Sequence, residues 1–234
     1  FFTYKTSEFI LDKNLTHTYV SQKQQIIESM YDMFRRCEFS KQDWKKIKDK
    51  CDEEQILFLS TPENRTDLDL LLELNIQAIK IGSDDLINIP LIKEFSSTGL
   101  PIIMSCGMST LNEIKESLQV FDSKKEYPIV LMLATSEYPT QAENVNLLKL
   151  KTLSNTFSNI ILGFSDHTQN SLASSIAVGL GARVFEKHFT LSHDLPGPDH
   201  WFSADSIELK NWVKTIKQAH QMLGSKTVEP TKKE

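Results

Sequence analysis

Two histidines, His167 and His188, each stand just past a short apolar run, the first after Ser165-Asp166 and the second after Glu186-Lys187. If both runs are neighbouring parallel β-strands, their axes lie ~4.8 Å apart. Imidazoles at matching strand ends can then converge on one divalent ion and leave positions open for water and substrate. Two nitrogen donors among many oxygen donors suit Mn²⁺ or Mg²⁺ better than a closed zinc site. Either histidine alone reads more readily as a hydrogen-bonded rim residue; the pairing is what favours a metal.

A second set of residues points to anion binding. Lys80-Ile81-Gly82-Ser83, Ser105-Cys106-Gly107 and Ser165 offer an ammonium, hydroxyls and backbone amides opened by glycine. Lys80 is the sharpest of these, because it interrupts an apolar strand and lysine is rarely buried without a partner. Thr135-Ser136-Glu137-Tyr138-Pro139 ends another strand with groups suited to a polyhydroxyl substrate, or equally to a capped turn. Asp199-His200 closes a proline-stiffened loop and is a candidate acid/base pair. Trp201, Trp212 and Met222 read as packing residues, and Asp67-Asp69 and Asp52-Glu53-Glu54 as solvated helix surface.

The elements that must position these groups alternate. Strands are expected over Ile56 to Ser60, Ala78 to Gly82, Pro101 to Ser105, Ile129 to Thr135, Ile160 to Phe164 and Val184 to Lys187. Between or after them, Glu63 to Leu74, Ile89 to Ser97, Thr110 to Phe121, Asn146 to Phe157, Ser171 to Leu180 and Asp205 to Leu223 carry helical periodicity. Ser109-Thr110 ahead of Glu113 and Asp205-Ser206 ahead of Glu208 are capping signals. An open doubly wound sheet shares this alternation, but it calls for a Gly-rich turn after its first strand, and none is visible. Polar residues at the carboxyl end of each successive strand favour a parallel (β/α)8 TIM-type barrel. With a strand stub from Phe1-Phe2 toward Tyr4-Lys5-Thr6, about seven strands are expected, and the first of eight would precede Phe1.

Composition sets the bounds. The 234 residues, 40% of them hydrophobic, suffice for one core, and the net charge of −5 with scattered lysines argues against nucleic acid as a partner. No apolar run approaches the ~20 residues needed to cross a bilayer, and three cysteines at unrelated spacings fit a reducing cytosol. The expectation is a soluble, cytoplasmic protein with a barrel domain over 1–225 and a tail or linker over 226–234.

Taken in order, several stretches resemble the sialic acid synthase family. They are Phe2 to Lys5, Phe58 to Pro62, Ile79 to Ser83 with Asp85-Leu86, Met104 to Met108, Thr135 to Pro139 with Val145-Asn146-Leu147, Gly163 to Thr168, and Gly181-Ala182 through Glu186 to Leu191 and Pro196 to His200. The resemblance implies metal-dependent condensation of phosphoenolpyruvate with an N-acetylated amino sugar, N-acetylmannosamine or a diacetamido relative, giving a nine-carbon sugar acid and phosphate. It implies that His167 and His188 hold the metal and the sugar aldehyde. Lys80, Ser83, Ser105 and Ser165 would bind phosphoenolpyruvate, Ser136 and Tyr138 would contact substrate, and Asp199 would lie near the sugar, with Asp199 and Lys80 as the catalytic groups.

Departures from the family pattern fall at Ala134 and Leu133, where Cys and His respectively are usual, and at Asp84, Cys106 and Phe164, in place of Gly, Thr and Tyr. The resemblance also implies a functional carboxylate and a lysine ahead of Phe1, a C-terminal antifreeze-like domain beyond Glu234, and a homodimeric parent. The 1–234 chain alone is therefore expected to turn over poorly. Two other readings compete: a phosphoenolpyruvate-condensing barrel that takes a phosphorylated aldose, and a noncatalytic sugar-binding remnant.

Overall fold

The computed structural model describes residues 2–121, 128–231 and 233–234. The chain opens with β1 (Phe2–Thr3), the one-turn helix α1 (Thr6–Phe9) and an antiparallel hairpin of β2 (Thr16–Ser21) and β3 (Gln24–Ser29). Helices α2 (Met30–Cys37) and α3 (Lys41–Glu53) follow. From there strands and helices alternate: β4 (Thr61–Pro62), α4 (Arg65–Glu73), β5 (Ile79–Ile81), α5 (Ile89–Ser97), β6 (Ile102–Ser105), α6 (Leu111–Gln119) and β7 (Ile129–Leu133). The series ends with α7 (Lys149–Thr156), β8 (Ile161–Asp166), α8 (Leu172–Gly179), β9 (Val184–Lys187) and α9 (Ser206–Met222).

Strands β5 to β9 form one parallel sheet in sequence order, and β1 pairs in parallel with β4. The sheet curls with its helices outside, giving a partial (β/α)8 barrel. Its core follows from strand composition: Ile79, Ile81, Ile102, Met104 and Leu131 are fully buried, against Leu68, Leu71, Ile92, Phe95 and Leu150 of the helices. Burying each such side chain contributes about 1.5–3 kcal/mol relative to exposure.

Helix starts obey local chemistry. Thr110 and Asp205 each form a reciprocal capping box, with Glu113 and Glu208, as their spacing predicts. Ser40, Asn64 and Asn88 cap α3, α4 and α5 through their side chains.

The expected strand over Ile56 to Ser60 is corrected. Gln55 takes a left-handed conformation (φ 57) past α3, and Ile56 and Leu57 are 62% and 61% exposed. Ladder pairing begins only at Thr61–Pro62, where β1 supplies a partner. The N-terminal stub is likewise shorter than expected: it stops at Thr3, Tyr4-Lys5 leave the strand and Thr6 enters α1, while its Phe1 end lies outside the described residues. Met222 is 83% exposed rather than packed, at the solvent-facing end of α9. Asp67 is buried rather than solvated, on the face of α4 that also buries Leu68 and Leu71; Asp69, two residues on and so on the opposite side of the helix, stays exposed.

Candidate active site at the strand ends

Strand register explains how the site assembles. In the β8–β9 ladder Ser165 lies opposite Glu186 and Asp166 opposite Lys187. Side chains alternate between faces along a strand. Ser165 and Glu186 therefore share one face, Asp166 and Lys187 the other, and His167 and His188 continue the first.

On that first face a polar chain crosses four strands. Lys80 Nζ donates to Ser105 Oγ (2.9 Å) and to the Ile81 carbonyl (3.1 Å), and lies 3.6 Å from Glu186 Oε2. Ser165 Oγ donates to Glu186 Oε1 (2.6 Å) and sits 3.2 Å from His167 Nε2. Burial pushes the Glu186 carboxyl up, but Lys80, Ser165 and the histidines outweigh it and hold it below the ordinary value. Lys80 thus has the partner that a buried lysine requires, and Glu186 is a member of the site that the anion-binding pattern alone did not select. The available signal was its place two residues before His188, on the same strand face.

The two imidazoles meet edge to face, with ring centroids 5.3 Å apart. His167 Nδ1 lies 2.7 Å from the Thr135 carbonyl; an N–H donated there leaves Nε2 free to act as a donor atom. His188 Nδ1 faces Asp199 Oδ2 at 3.6 Å. Burial pulls both histidines below the ordinary value; for His188 the Asp199 carboxylate opposes that shift and His167 adds to it. Tyr138 packs over both, at 4.4 Å from the His167 ring and 5.4 Å from that of His188, and Phe202 lies 5.6 Å from Tyr138. Burial raises the Tyr138 hydroxyl pKa, and Asp199 adds to the rise.

The remaining expected residues converge on Gly107. Its amide donates to Ser83 Oγ (3.0 Å), and a methyl group added at Gly107 would meet Ser83 Oγ at 2.8 Å and Ser136 Oγ at 2.9 Å. Ser83, Gly107 and Ser136 thus line one cradle at the ends of β5, β6 and β7. Asp199 and His200 are not a pair with each other: His200 Nδ1 turns to Thr190 Oγ1 (2.8 Å), while Asp199 faces His188. The loop that carries them is braced by the hairpin, through Ser21 Oγ accepting from the Gly197 amide (3.1 Å) and Gln22 Nε2 donating to the Asp194 carbonyl (2.8 Å).

Two further carboxyls were not among the expected site residues. Glu63, directly after β4, has a buried Oε1 with no hydrogen-bond partner, and its pKa is pushed up to about 8 by burial and then by Asp84, Asp85 and Asp67. Asp67 is pushed up to about 7, chiefly by burial.

The donor set suits a divalent ion: two imidazoles kept neutral by burial, with the Glu186 and Asp199 carboxylates beside them. Among the described residues, His193, Asp205 and Glu208 are the three side chains whose ligand atoms all lie within 4.8 Å of one another. Asp205 and Glu208 there form the α9 capping box, and a cation would face the positive end of the helix. No described helix is long and apolar enough to cross a membrane.

Fold and site together define a parallel β/α barrel whose polar side chains gather at the carboxyl ends of its strands, the place where barrels of this class act. The chain belongs to the NeuB family, which matches residues 1–228. It is 40% identical over 210 residues to an uncharacterized protein of Methanocaldococcus jannaschii, covering 90% of this chain and 61% of that protein. It is 36% identical over 211 residues to the N,N'-diacetyllegionaminic acid synthase of Legionella pneumophila, covering 88% and 59% respectively. The chain thus spans about three fifths of the length of these relatives. A crystal structure of the N-acetylneuraminic acid synthetase from Leptospira borgpetersenii, in complex with citrate, superposes with a TM-score of 0.81 at 30% identity, covering 87% of this chain and 70% of that one.

Proposed function

We propose that residues 1–225 are the barrel of a nonulosonate synthase that condenses phosphoenolpyruvate with an N-acetylated amino sugar. The observation that carries this reading is the continuous polar chain in which Lys80 contacts both Ser105 and Glu186, and Glu186 leads on through Ser165 to His167, all at the carboxyl ends of the strands. An anion and a polarised carbonyl can be held side by side there. Family membership and the relatives' names support the same reaction class.

In this proposal Lys80 offsets the charge of phosphoenolpyruvate, and Ser83, Ser105 and Ser165 donate to its phosphate and carboxylate oxygens. Ser136 and the Tyr138 hydroxyl contact the sugar. Asp199 orients His188 and serves as the acid/base group near the sugar oxygens. Mn²⁺ or Mg²⁺ held by His167 and His188 supplies Lewis-acid polarisation of the sugar aldehyde. Tyr138 and Phe202 cover the imidazoles and limit water. Fixing two reactants in alignment contributes ~7–11 kcal/mol toward the barrier.

The test is phosphate release, with NMR detection of the nine-carbon product, from phosphoenolpyruvate, N-acetylmannosamine or a diacetamido sugar, and Mn²⁺ or Mg²⁺, each omitted in turn. Release, slow in this chain by itself, is expected only with all three. Turnover without the metal, or only with a phosphorylated aldose, contradicts the proposal.

A further inference from the structure

On the outer face of the β8–β9 ladder, opposite the histidines, lies a buried polar knot centred on Asp166, which is fully buried. Its Oδ1 accepts from the Thr168 amide (2.9 Å) and from the Thr168 hydroxyl (2.7 Å). Its Oδ2 accepts from Trp212 Nε1 (3.0 Å) and from the Ser174 hydroxyl. Lys187 Nζ pairs with Oδ1 at 3.6 Å, is itself only 5% exposed, and also donates to the Thr168 carbonyl. One carboxylate thereby joins β8, β9, α8 and α9. Trp212, expected only to pack, is in fact a donor in this knot.

The position of the knot in the ladder gives it a consequence. Three successive cross-strand positions alternate faces: Ser165 with Glu186 inward, Asp166 with Lys187 outward, His167 with His188 inward. A slip of one residue between β8 and β9 would turn one histidine out of the site. The β8–β9 ladder stops at Asp166 and Lys187; beyond it the His167 and His188 carbonyls accept from the Thr140 and Ala204 amides rather than from each other's strand, so the knot is the last direct tie between the two strands before the imidazoles.

We propose that Asp166 is the positioning residue of the two-histidine site, acting from the far face of the sheet to hold His167 and His188 at the separation a divalent ion needs. It touches neither substrate nor metal. The role rests on the metal reading given above for His167 and His188. Both carboxylate oxygens accept from N–H donors, so Asn at 166 is no isostere: its N–H₂ would turn toward either the Thr168 amide or the Trp212 indole N–H, both donors.

The test measures Mn²⁺ binding by calorimetry, without substrates, in the wild-type chain, Asp166→Asn and Trp212→Phe, with circular dichroism to verify the fold. Asp166→Asn is expected to weaken Mn²⁺ about 10–100-fold, the range for groups that orient metal ligands, and Trp212→Phe about threefold, since it removes a single donor. Mn²⁺ affinity within twofold of wild type in both folded variants overturns the proposal. If Asp166→Asn does not fold, Trp212→Phe decides by its own threefold expectation. NMR of the metal-free histidines separates this proposal from the metal reading. Failure of the wild type to bind Mn²⁺ sinks the metal reading, and the His167 and His188 ring protons then decide: shifted together in the variants, they support the positioning role, and unmoved they refute it.

Discussion

Replacing Glu63 by Gln tests the electrostatics of the strand-end rim without altering a group assigned to substrate or metal. The Glu63 carboxyl, ordinarily near 4.5, is pushed up to about 8 by burial and by Asp84, Asp85 and Asp67, against the pull of Lys80. Between those two values the folded chain keeps a proton that the unfolded chain has lost. Stability must therefore fall as pH rises through this window, by at most ~1.36 kcal/mol per pH unit. The ceiling is ~5 kcal/mol across the window, and partial solvent access lowers the expectation to on the order of 2–3 kcal/mol. Gln carries no charge at any pH. Urea unfolding followed by fluorescence of the buried Trp44 and Trp212 should find Glu63→Gln and wild type about equal near pH 4.5, with the variant more stable by ~2–3 kcal/mol near pH 9. A gap that does not change with pH, or a wild type more stable than the variant near pH 9, would refute the reasoning.

Gly107→Ala should leave the melting temperature within a few degrees of wild type, because the added methyl meets side-chain hydroxyls of Ser83 and Ser136, which can rotate aside, and no backbone atom lies as near. It should nonetheless raise the KM for phosphoenolpyruvate about tenfold or more, and an unchanged KM removes Gly107 from the cradle. Tyr138→Phe keeps the ring over His167 and His188, so Mn²⁺ affinity should hold while the KM for the sugar rises; Tyr138→Ala should weaken both. Equal loss of Mn²⁺ affinity in the two variants would mean that the hydroxyl, not the ring, supports the histidines. Lys80→Met removes the cation that faces the Glu186 carboxylate, which is 42% exposed and keeps its Ser165 hydrogen bond, so a loss of only about 1 kcal/mol in urea unfolding is expected together with loss of phosphoenolpyruvate binding. Phosphoenolpyruvate affinity unchanged by calorimetry would end the assignment of Lys80.

Much of the barrel was legible because its strands are apolar on both faces and its helices periodic, so that β5 to β9 and their crossovers fall close to where patterning puts them. The hairpin Thr16–Ser29 was not legible. Its turn residues, Gln22 (φ 50) and Lys23 (φ 63), take left-handed conformations without the Asn or Gly that announces such a turn. The segment Ile56 to Ser60 misled for the opposite reason: an apolar run looked like a strand, but a ladder also needs a neighbour, and local pattern does not report one. At the site, residue types pointed to His167, His188, Lys80 and the serines, while their mutual geometry came from register. That register pairs Glu186 with Ser165, the curl of the sheet brings Lys80 to Glu186, and the loop after β9 brings Asp199 to His188 instead of its own neighbour His200. Pairings between residues far apart in the chain are set by the fold's closure and leave no mark at any single position.

In the proposed mechanism His167 and His188 hold a divalent ion beside an anion cradle at Lys80, Ser105 and Ser165. Anomalous X-ray diffraction from crystals soaked with Mn²⁺ and phosphoenolpyruvate tests it most directly. A manganese peak bonded to both imidazoles is expected, with phosphate density against Lys80 and Ser105. A manganese peak confined to His193, Asp205 and Glu208, with the two imidazoles bare, would contradict it.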